Sequence, residues 1–205
     1  MKLSSIMIMA LCIAGLFAGE ALADFKTGMK AYQAGDFTRA VKEFKADKSK
    51  EAQYNLGVMH YKGQGVKADP AQSAEFFRKA GERGHANAAF LLGNLYDKGE
   101  GVKQDTATAA KWYRKAAEKG HIEAQFNLAM MYTNGEGVEK NRPEAVKWLK
   151  KAAGKGHARS GKLLGVMGEE IPKAARLQIQ KERGKTVKTP IMTGPEANPH
   201  GMNKQ

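Results

Sequence analysis

Cysteine and long apolar segments are nearly absent from this chain of 205 residues. Its single cysteine, Cys12, lies in an apolar run near the N-terminus. If that run is removed, the remaining chain has no disulfide and no thiolate metal site, so its stability must come from packing. No later segment approaches the roughly 20 apolar residues that a membrane-spanning helix needs.

The first 23 residues have the pattern of a secretory signal peptide. Lys2 gives a positive start, an apolar run extends from Ile6 to Phe17, and Ala21 and Ala23 are the small residues that a signal peptidase requires. We therefore expect cleavage after Ala23 and a periplasmic or secreted location. The alternative, an uncleaved membrane anchor, is disfavoured because the run is too short.

Acidic residues are outnumbered, with 21 Asp and Glu against 34 Lys and Arg, which gives a net charge of +13. Such a balance favours anionic partners and accelerates their encounter. An acidic protein is one candidate, and contact of the basic C-terminal region with an anionic membrane or an envelope polymer is another. Nucleic acid is not expected, because no module combines aromatic and basic residues. A lysine-rich surface that serves only solubility stays open as an alternative.

What the chain does contain is an internal repeat. Three stretches superimpose without gaps at an offset of 36 residues. The matching columns include Gly57, Gly93 and Ala129; Gly63, Gly99 and Gly135; Ala80, Ala116 and Ala152; and His85, His121 and His157. Gapless repeats of this length are typical of a solenoid, in which one small unit stacks on copies of itself. Solenoids build extended binding surfaces rather than catalytic clefts.

Each repeat has the pattern of a helix, a loop and a second helix. In the first repeat, apolar residues around Leu56 recur at helical spacing, and Gly63 is placed to end that helix in a left-handed conformation. Asp69 is then a good N-cap, followed by Pro70 at the first helical position. Good N-cap residues recur at the same position in the other two repeats, as Asp105 and Asn141.

The stretch AQYNLGVMHYKGQGVKADPAQSAEFFRKAGERGHA and its two successors resemble Sel1-like repeats, a subclass of the tetratricopeptide-like repeats. The resemblance covers about Glu51 to Gly156. His60 replaces the usual tyrosine of the family in the first copy, and Ala129 replaces the usual glycine in the third. The resemblance implies an all-α fold, a right-handed α/α solenoid of Sel1-like, TPR-like helix-loop-helix repeats. It also implies a non-enzymatic, monomeric binding module.

The flanking segments are predicted to be caps and ends. Residues 24–50 resemble an ordinary tetratricopeptide unit with a short link between its helices. The predicted division is 1–23 signal peptide, 24–50 N-terminal capping unit, 51–86, 87–122 and 123–156 Sel1-like repeats, 157–183 partial fourth repeat with a basic capping helix, and 184–205 disordered basic tail. Terminal repeats are expected to differ from the others, because one face lacks a neighbour.

No catalytic, cofactor-binding or metal-binding residue is predicted. The Gly-x-Gly loops follow a helix rather than a strand, which favours a structural role over a phosphate site. His85, His121 and His157 lie in successive repeats about 8–10 Å apart and are too distant to share one zinc ion. We place them at the junctions between repeats. No nucleophile and base pair stands out, and no Gly-x-Ser-x-Gly or His-Glu-x-x-His motif occurs.

Partner contacts are predicted on the first helix of each repeat, which lines the concave face in folds of this family. Some positions there change freely between repeats while sharing one face at a spacing of three residues. They are Asn55, Leu91 and Asn127; Val58, Asn94 and Met130; and Tyr61, Asp97 and Thr133. Positions that the fold leaves free are where partner contacts can be encoded, although plain solvent exposure is the alternative for each.

The sequence thus predicts an exported scaffold or adaptor that binds a protein partner on the concave face. Proteins resembling it serve in envelope assembly, secretion and surface interaction. An immunity or inhibitor protein against a secreted toxin is one alternative. A cell-envelope hydrolase assembled from scattered residues is another.

Overall fold

A computed structural model describes residues 25–186, with side chains to residue 183, and this part of the chain holds ten helices and no strand. The helices are α1 Phe25–Gln33, α2 Phe37–Ala46, α3 Lys50–Lys62, α4 Pro70–Glu82, α5 Ala86–Lys98, α6 Thr106–Glu118, α7 Ile122–Asn134, α8 Arg142–Gly154, α9 Ala158–Val166 and α10 Lys173–Thr186. The predicted signal peptide, and the predicted tail beyond residue 186, lie outside the described residues.

The helices repeat with the same period as the sequence. The first helices α3, α5 and α7 begin 36 residues apart, and so do the second helices α4, α6 and α8. Every one of these six helices is 13 residues long. The predicted helix-loop-helix unit and the all-α class are therefore confirmed.

Side chains at the predicted N-cap positions start the second helices. An Asp69 carboxylate oxygen accepts the Gln72 amide at 2.9 Å, and Asp105 accepts the Thr108 amide at 3.0 Å. The Asn141 side-chain oxygen accepts the amide of Glu144 at 3.0 Å. Each bond satisfies one of the amide groups that an α-helix leaves without an internal partner at its start.

The two glycines of each Gly-x-Gly loop have different structural roles. Gly99 is a left-handed C-cap with φ 73°, as predicted for this position. Gly101 has φ 69°, and a Cβ built there would lie 2.3 Å from the backbone carbon of Pro70. Only a residue without a side chain lets the loop pass this close to the start of the preceding second helix. The structural role predicted for these loops is confirmed.

Glycines inside the first helices face aromatic rings of the second helices. A Cβ at Gly57 would lie 2.5 Å from the Phe77 ring, and one at Gly93 would lie 2.7 Å from the ring of Tyr113. The N-terminal pair α1 and α2 uses the same arrangement, since a Cβ at Gly28 would lie 2.5 Å from Phe44. Glycine opposite a ring lets the two helices approach closely and excludes water from between them.

The described part of the chain divides into two compact units, with the boundary between Trp148 and Leu149. In the first unit each helix from α1 to α6 packs against the next, and α1 packs on α3, α3 on α5, and α4 on α6. This is the layering of stacked helix pairs, and its core includes Phe44, Leu56 and Leu92 at 0% exposure.

In the second unit α9 packs on α10. A Cβ at Gly161 would lie 2.7 Å from Ala175 Cβ, and the Lys162 ammonium pairs with Glu182 at 2.9 Å. Helix α10 contains the predicted basic final helix and extends it to residue 186. Across the part of the chain that the structure describes, no helix is long and apolar enough to span a bilayer.

Candidate functional site

The repeated histidines are N-caps of the helices that follow them. His85 Nδ1 accepts the Ala88 amide at 3.1 Å, and His121 Nδ1 accepts the Ala124 amide at 3.2 Å. His157 caps α9 in the same way. They lie at the junctions predicted for them. Within residues 25–183 no three His, Cys, Asp or Glu side chains converge as metal ligands would.

Packing favours the neutral form of the His85 and His121 rings. The His85 ring stacks on Tyr54 with centroids 4.3 Å apart, and the His121 ring stacks on Phe90 at 4.2 Å. Burial lowers the pKa of both histidines below the ordinary value. Nδ1 accepts an amide hydrogen only when it carries no proton, so the cap and the lowered pKa support each other.

A groove of about 270 Å³ lies between first helices α3 and α5, and we call it the first-helix groove. Its apolar side chains are Tyr54, Val58, Phe77, Leu91 and Leu95. Its polar and charged side chains are Tyr61, Lys62, Asn94, Lys98 and Glu100. Apolar lining with a few placed polar groups is the usual composition of a binding site.

Tyr61 forms one wall of the first-helix groove. Its side chain is 44% exposed, and its hydroxyl donates to a Glu100 carboxylate oxygen at 2.8 Å. The Lys98 ammonium lies 3.6 Å from the same carboxylate. The hydrogen bond to Glu100 raises the pKa of the Tyr61 phenol. This link across two repeats orients an exposed aromatic ring at the mouth of the groove.

The Tyr113 hydroxyl connects three of the predicted partner-binding residues. It donates to Asn94 Oδ1 at 2.8 Å and also interacts with Asp97 and Asn127. Burial, followed by the Asp97 carboxylate, raises the pKa of this phenol, which is 2% exposed. The polar role of Tyr113 depends on tertiary contacts between α5, α6 and α7.

The structure brings some of the nine predicted residues together and leaves others apart. Val58, Tyr61, Leu91 and Asn94 all line the first-helix groove. Asn94 accepts a hydrogen bond from the Tyr113 hydroxyl, and Asp97 and Asn127 influence the pKa of the same phenol. The three that remain outside both groups are Asn55, Met130 and Thr133.

Two of these three side chains bond to their own helices. Asn55 donates to the Glu51 carbonyl at 2.9 Å, and Thr133 donates to the Ala129 carbonyl at 2.9 Å. Met130 is half-buried on α7. Bonding to the helix backbone leaves Asn55 and Thr133 less able to contact a partner.

Stacked helix pairs, left-handed glycine caps and a groove between first helices define an α/α solenoid of the interaction-scaffold class. The Sel1 repeat family model matches residues 50–85, 86–121 and 122–157, each starting one residue before the boundary predicted from the sequence. The chain belongs to the Sel1 repeat family. Such repeats generally mediate protein–protein interaction, and proteins built from them are typically non-enzymatic.

Two solved structures are similar to this chain. A Sel1 repeat protein from Oxalobacter formigenes is 32% identical, with a TM-score of 0.70 over 78% of this chain and 70% of that one. A protective antigen of uropathogenic Escherichia coli, c5321, is 30% identical with a TM-score of 0.68, over 78% of this chain and 37% of the antigen. Both support the solenoid class.

A further likeness is much weaker. The immunity protein Pa5087 from Pseudomonas aeruginosa is 15% identical, with a TM-score of 0.34, which is too low to carry an argument. No curated protein matches the chain significantly.

Proposed function

We propose that this protein is an exported scaffold that binds a short segment of a protein partner in the first-helix groove. The observation that carries this proposal is the composition of the groove. Its apolar residues Val58 and Leu91 and its polar residues Tyr61 and Asn94 are positions that vary between repeats. Buried scaffold positions such as Leu56, Leu92 and Leu128 hold the same residue in every repeat.

The size of the first-helix groove favours a side chain over a small-molecule cofactor. Its volume of about 270 Å³ lies below the roughly 300–1,000 Å³ typical of small-molecule sites. One apolar side chain of a partner fits between Val58 and Leu91. Tyr61 would cover that side chain at the mouth, as aromatic residues often do at interaction surfaces.

Polar groups beside the apolar floor would fix the partner backbone. The Tyr113 hydroxyl holds the Asn94 carboxamide through Oδ1, which leaves the amide N–H groups to donate to a partner carbonyl. A hydrogen bond made beside a buried apolar anchor adds geometric specificity to the binding energy. The preorganised Asn94 would therefore select the path of the bound segment.

Peptide display against the purified protein tests this proposal. Selected peptides are expected to share one apolar anchor residue, and Leu91→Arg is expected to weaken their binding at least about ten-fold. The matched control is Val166→Arg, which makes the same kind of change at a side chain 84% exposed on α9. Equal binding by the two variants, with both folded by circular dichroism, would contradict the proposal.

We further propose export, supported by the N-terminal sequence pattern and not by any structural observation. The mature protein would begin at Asp24 and operate without cysteine. Fractionation followed by N-terminal sequencing tests this. Recovery from the periplasm or medium with Asp24 first is the expected result, and an intact N-terminus in the cytosol would refute it.

A further inference from the structure

A second surface of the first unit concentrates positive charge. Two adjoining pockets of about 350 and 470 Å³ lie where second helices end and the next first helices begin, and they share Glu82 and Arg83. We call them together the basic groove. Its cationic side chains are Lys45, Lys48, Lys79, Arg83, Lys115 and Lys119.

These six cations are not neutralised within residues 25–183, where none of them forms an ion pair with a carboxylate. Other basic side chains of the unit do so, such as Arg78, which pairs with Glu75 at 2.9 Å. Only two acidic residues, Glu82 and Glu118, line the same pockets. The basic groove therefore carries an excess of four positive charges.

Interaction with helix C-termini explains why some of these cations are present. It does not explain why cations of neighbouring repeats lie together. Lys45, Lys79 and Lys115 lie in the last turns of α2, α4 and α6, where a cation stabilises a helix by about 0.3–1 kcal/mol. That effect requires no contact between repeats. Yet the Lys119 side chain reaches back to the preceding repeat, with its Cε 3.5 Å from a Cβ built at Gly84.

Apolar and aromatic surface lies among the cations. Phe76 lines the larger pocket, and the Lys79 ammonium lies 5.5 Å from its ring centroid. Along the same edge, the Lys115 ammonium lies 4.3 Å from the Trp112 ring centroid. A ligand of this surface would pair negative charges with apolar contact.

We propose that the basic groove binds an extended acidic peptide in which Glu or Asp alternates with apolar residues. Successive second helices contribute cations about 8–10 Å apart. Alternate side chains of an extended peptide lie about 6.6 Å apart, so flexible lysines can follow a carboxylate on every second residue. A compact single anion would occupy one pocket and meet the cations of two neighbouring units, whereas an extended peptide across both pockets would meet the cations of three. This site is independent of the first-helix groove.

The test uses a fluorescent 12-residue peptide of alternating Glu and Val, with a peptide of alternating Gln and Val as the uncharged control. Binding to the full chain is followed by anisotropy at low and at physiological salt. Lys48→Gln, Arg83→Gln and Lys119→Gln are combined in one variant. The matched control combines Lys42→Gln, Lys67→Gln and Lys103→Gln, three exposed lysines outside the basic groove.

We expect the acidic peptide to bind, the uncharged peptide not to bind, and physiological salt to weaken the complex. The groove variant is expected to bind roughly ten-fold more weakly, whereas the control variant stays within about two-fold of the parent. An equal loss of peptide affinity in both variants would show that only the net charge of the protein matters, and it would overturn the proposal. Binding of phosphatidylglycerol vesicles through the same cations, without peptide binding, would overturn it as well.

Discussion

The glycine-to-ring packing between first and second helices gives a quantitative prediction for Gly57→Ala. A Cβ at this position would lie 2.5 Å from two carbons of the Phe77 ring, about 1 Å closer than a normal carbon–carbon contact. Overpacking of this kind costs about 1–3 kcal/mol. Alanine gains about 1 kcal/mol over glycine inside a helix. The substitution should therefore destabilise the protein by about 1 kcal/mol.

A second substitution should relieve that strain. The third repeat holds Ala129 and Leu149 at the columns that hold Gly57 and Phe77 in the first. Phe77→Leu alone leaves a cavity and costs about 1–2 kcal/mol. In the double variant the new methyl group occupies part of that cavity. The two substitutions together should cost at least about 1 kcal/mol less than the sum of the single effects.

Urea unfolding of the full chain, followed by circular dichroism, measures the free energy of unfolding of the parent, the two single variants and the double variant. These four values form a double-mutant cycle. Gly154→Ala is the matched control, because a Cβ there meets no atom within 4 Å. It should stabilise the helix rather than strain it. If Gly57→Ala were as favourable as Gly154→Ala, or if the cycle were additive within about 0.5 kcal/mol, the packing argument would be refuted.

Two further predictions concern histidines. Burial holds the pKa of His85 and His121 below that of the unfolded chain, so the unfolded state gains protons first as the pH falls below about 6.5. The free energy of unfolding should drop from pH 7.5 to 5.5. The drop should be less steep when both histidines are replaced by asparagine, an N-cap that does not titrate. Identical pH profiles of the parent and the double variant would contradict this. His60→Tyr should raise the free energy of unfolding at pH 7 by about 1 kcal/mol, because neither ring nitrogen of this buried histidine has a partner among the described residues. If urea unfolding showed no increase in the free energy of unfolding, the unpartnered nitrogens of His60 would not destabilise the folded protein.

The local features of the repeat were predictable because short-range chemistry determines them. Asp69 precedes a helix-starting proline, and Gly63, which has no side chain, ends a helix in a left-handed conformation at low cost. The capping role of His85 was missed because histidine is not among the usual N-cap residues, and the stacking of its ring on Tyr54 is a tertiary contact. A histidine directly before α5, α7 and α9 was the available signal.

The candidate sites depend on contacts between repeats and were only partly predictable. The spacing of three residues placed Val58 and Tyr61 on one face of α3, but their meeting with Leu91 required α3 and α5 to be neighbours. Asn55 satisfied the same spacing and instead bonds to its own helix backbone. Sequence periodicity identifies a face, whereas hydrogen bonding decides which side chains on that face stay available.

Site-specific photocrosslinking in the producing cell tests the central claim most directly. Benzoylphenylalanine replaces Tyr61 at the mouth of the first-helix groove or, as a control, Leu177, which is 49% exposed on α10. We predict an adduct with one protein from position 61, absent from position 177, that disappears when Leu91→Arg is added. Identical adducts from both positions, or an adduct unaffected by Leu91→Arg, would contradict binding in the first-helix groove.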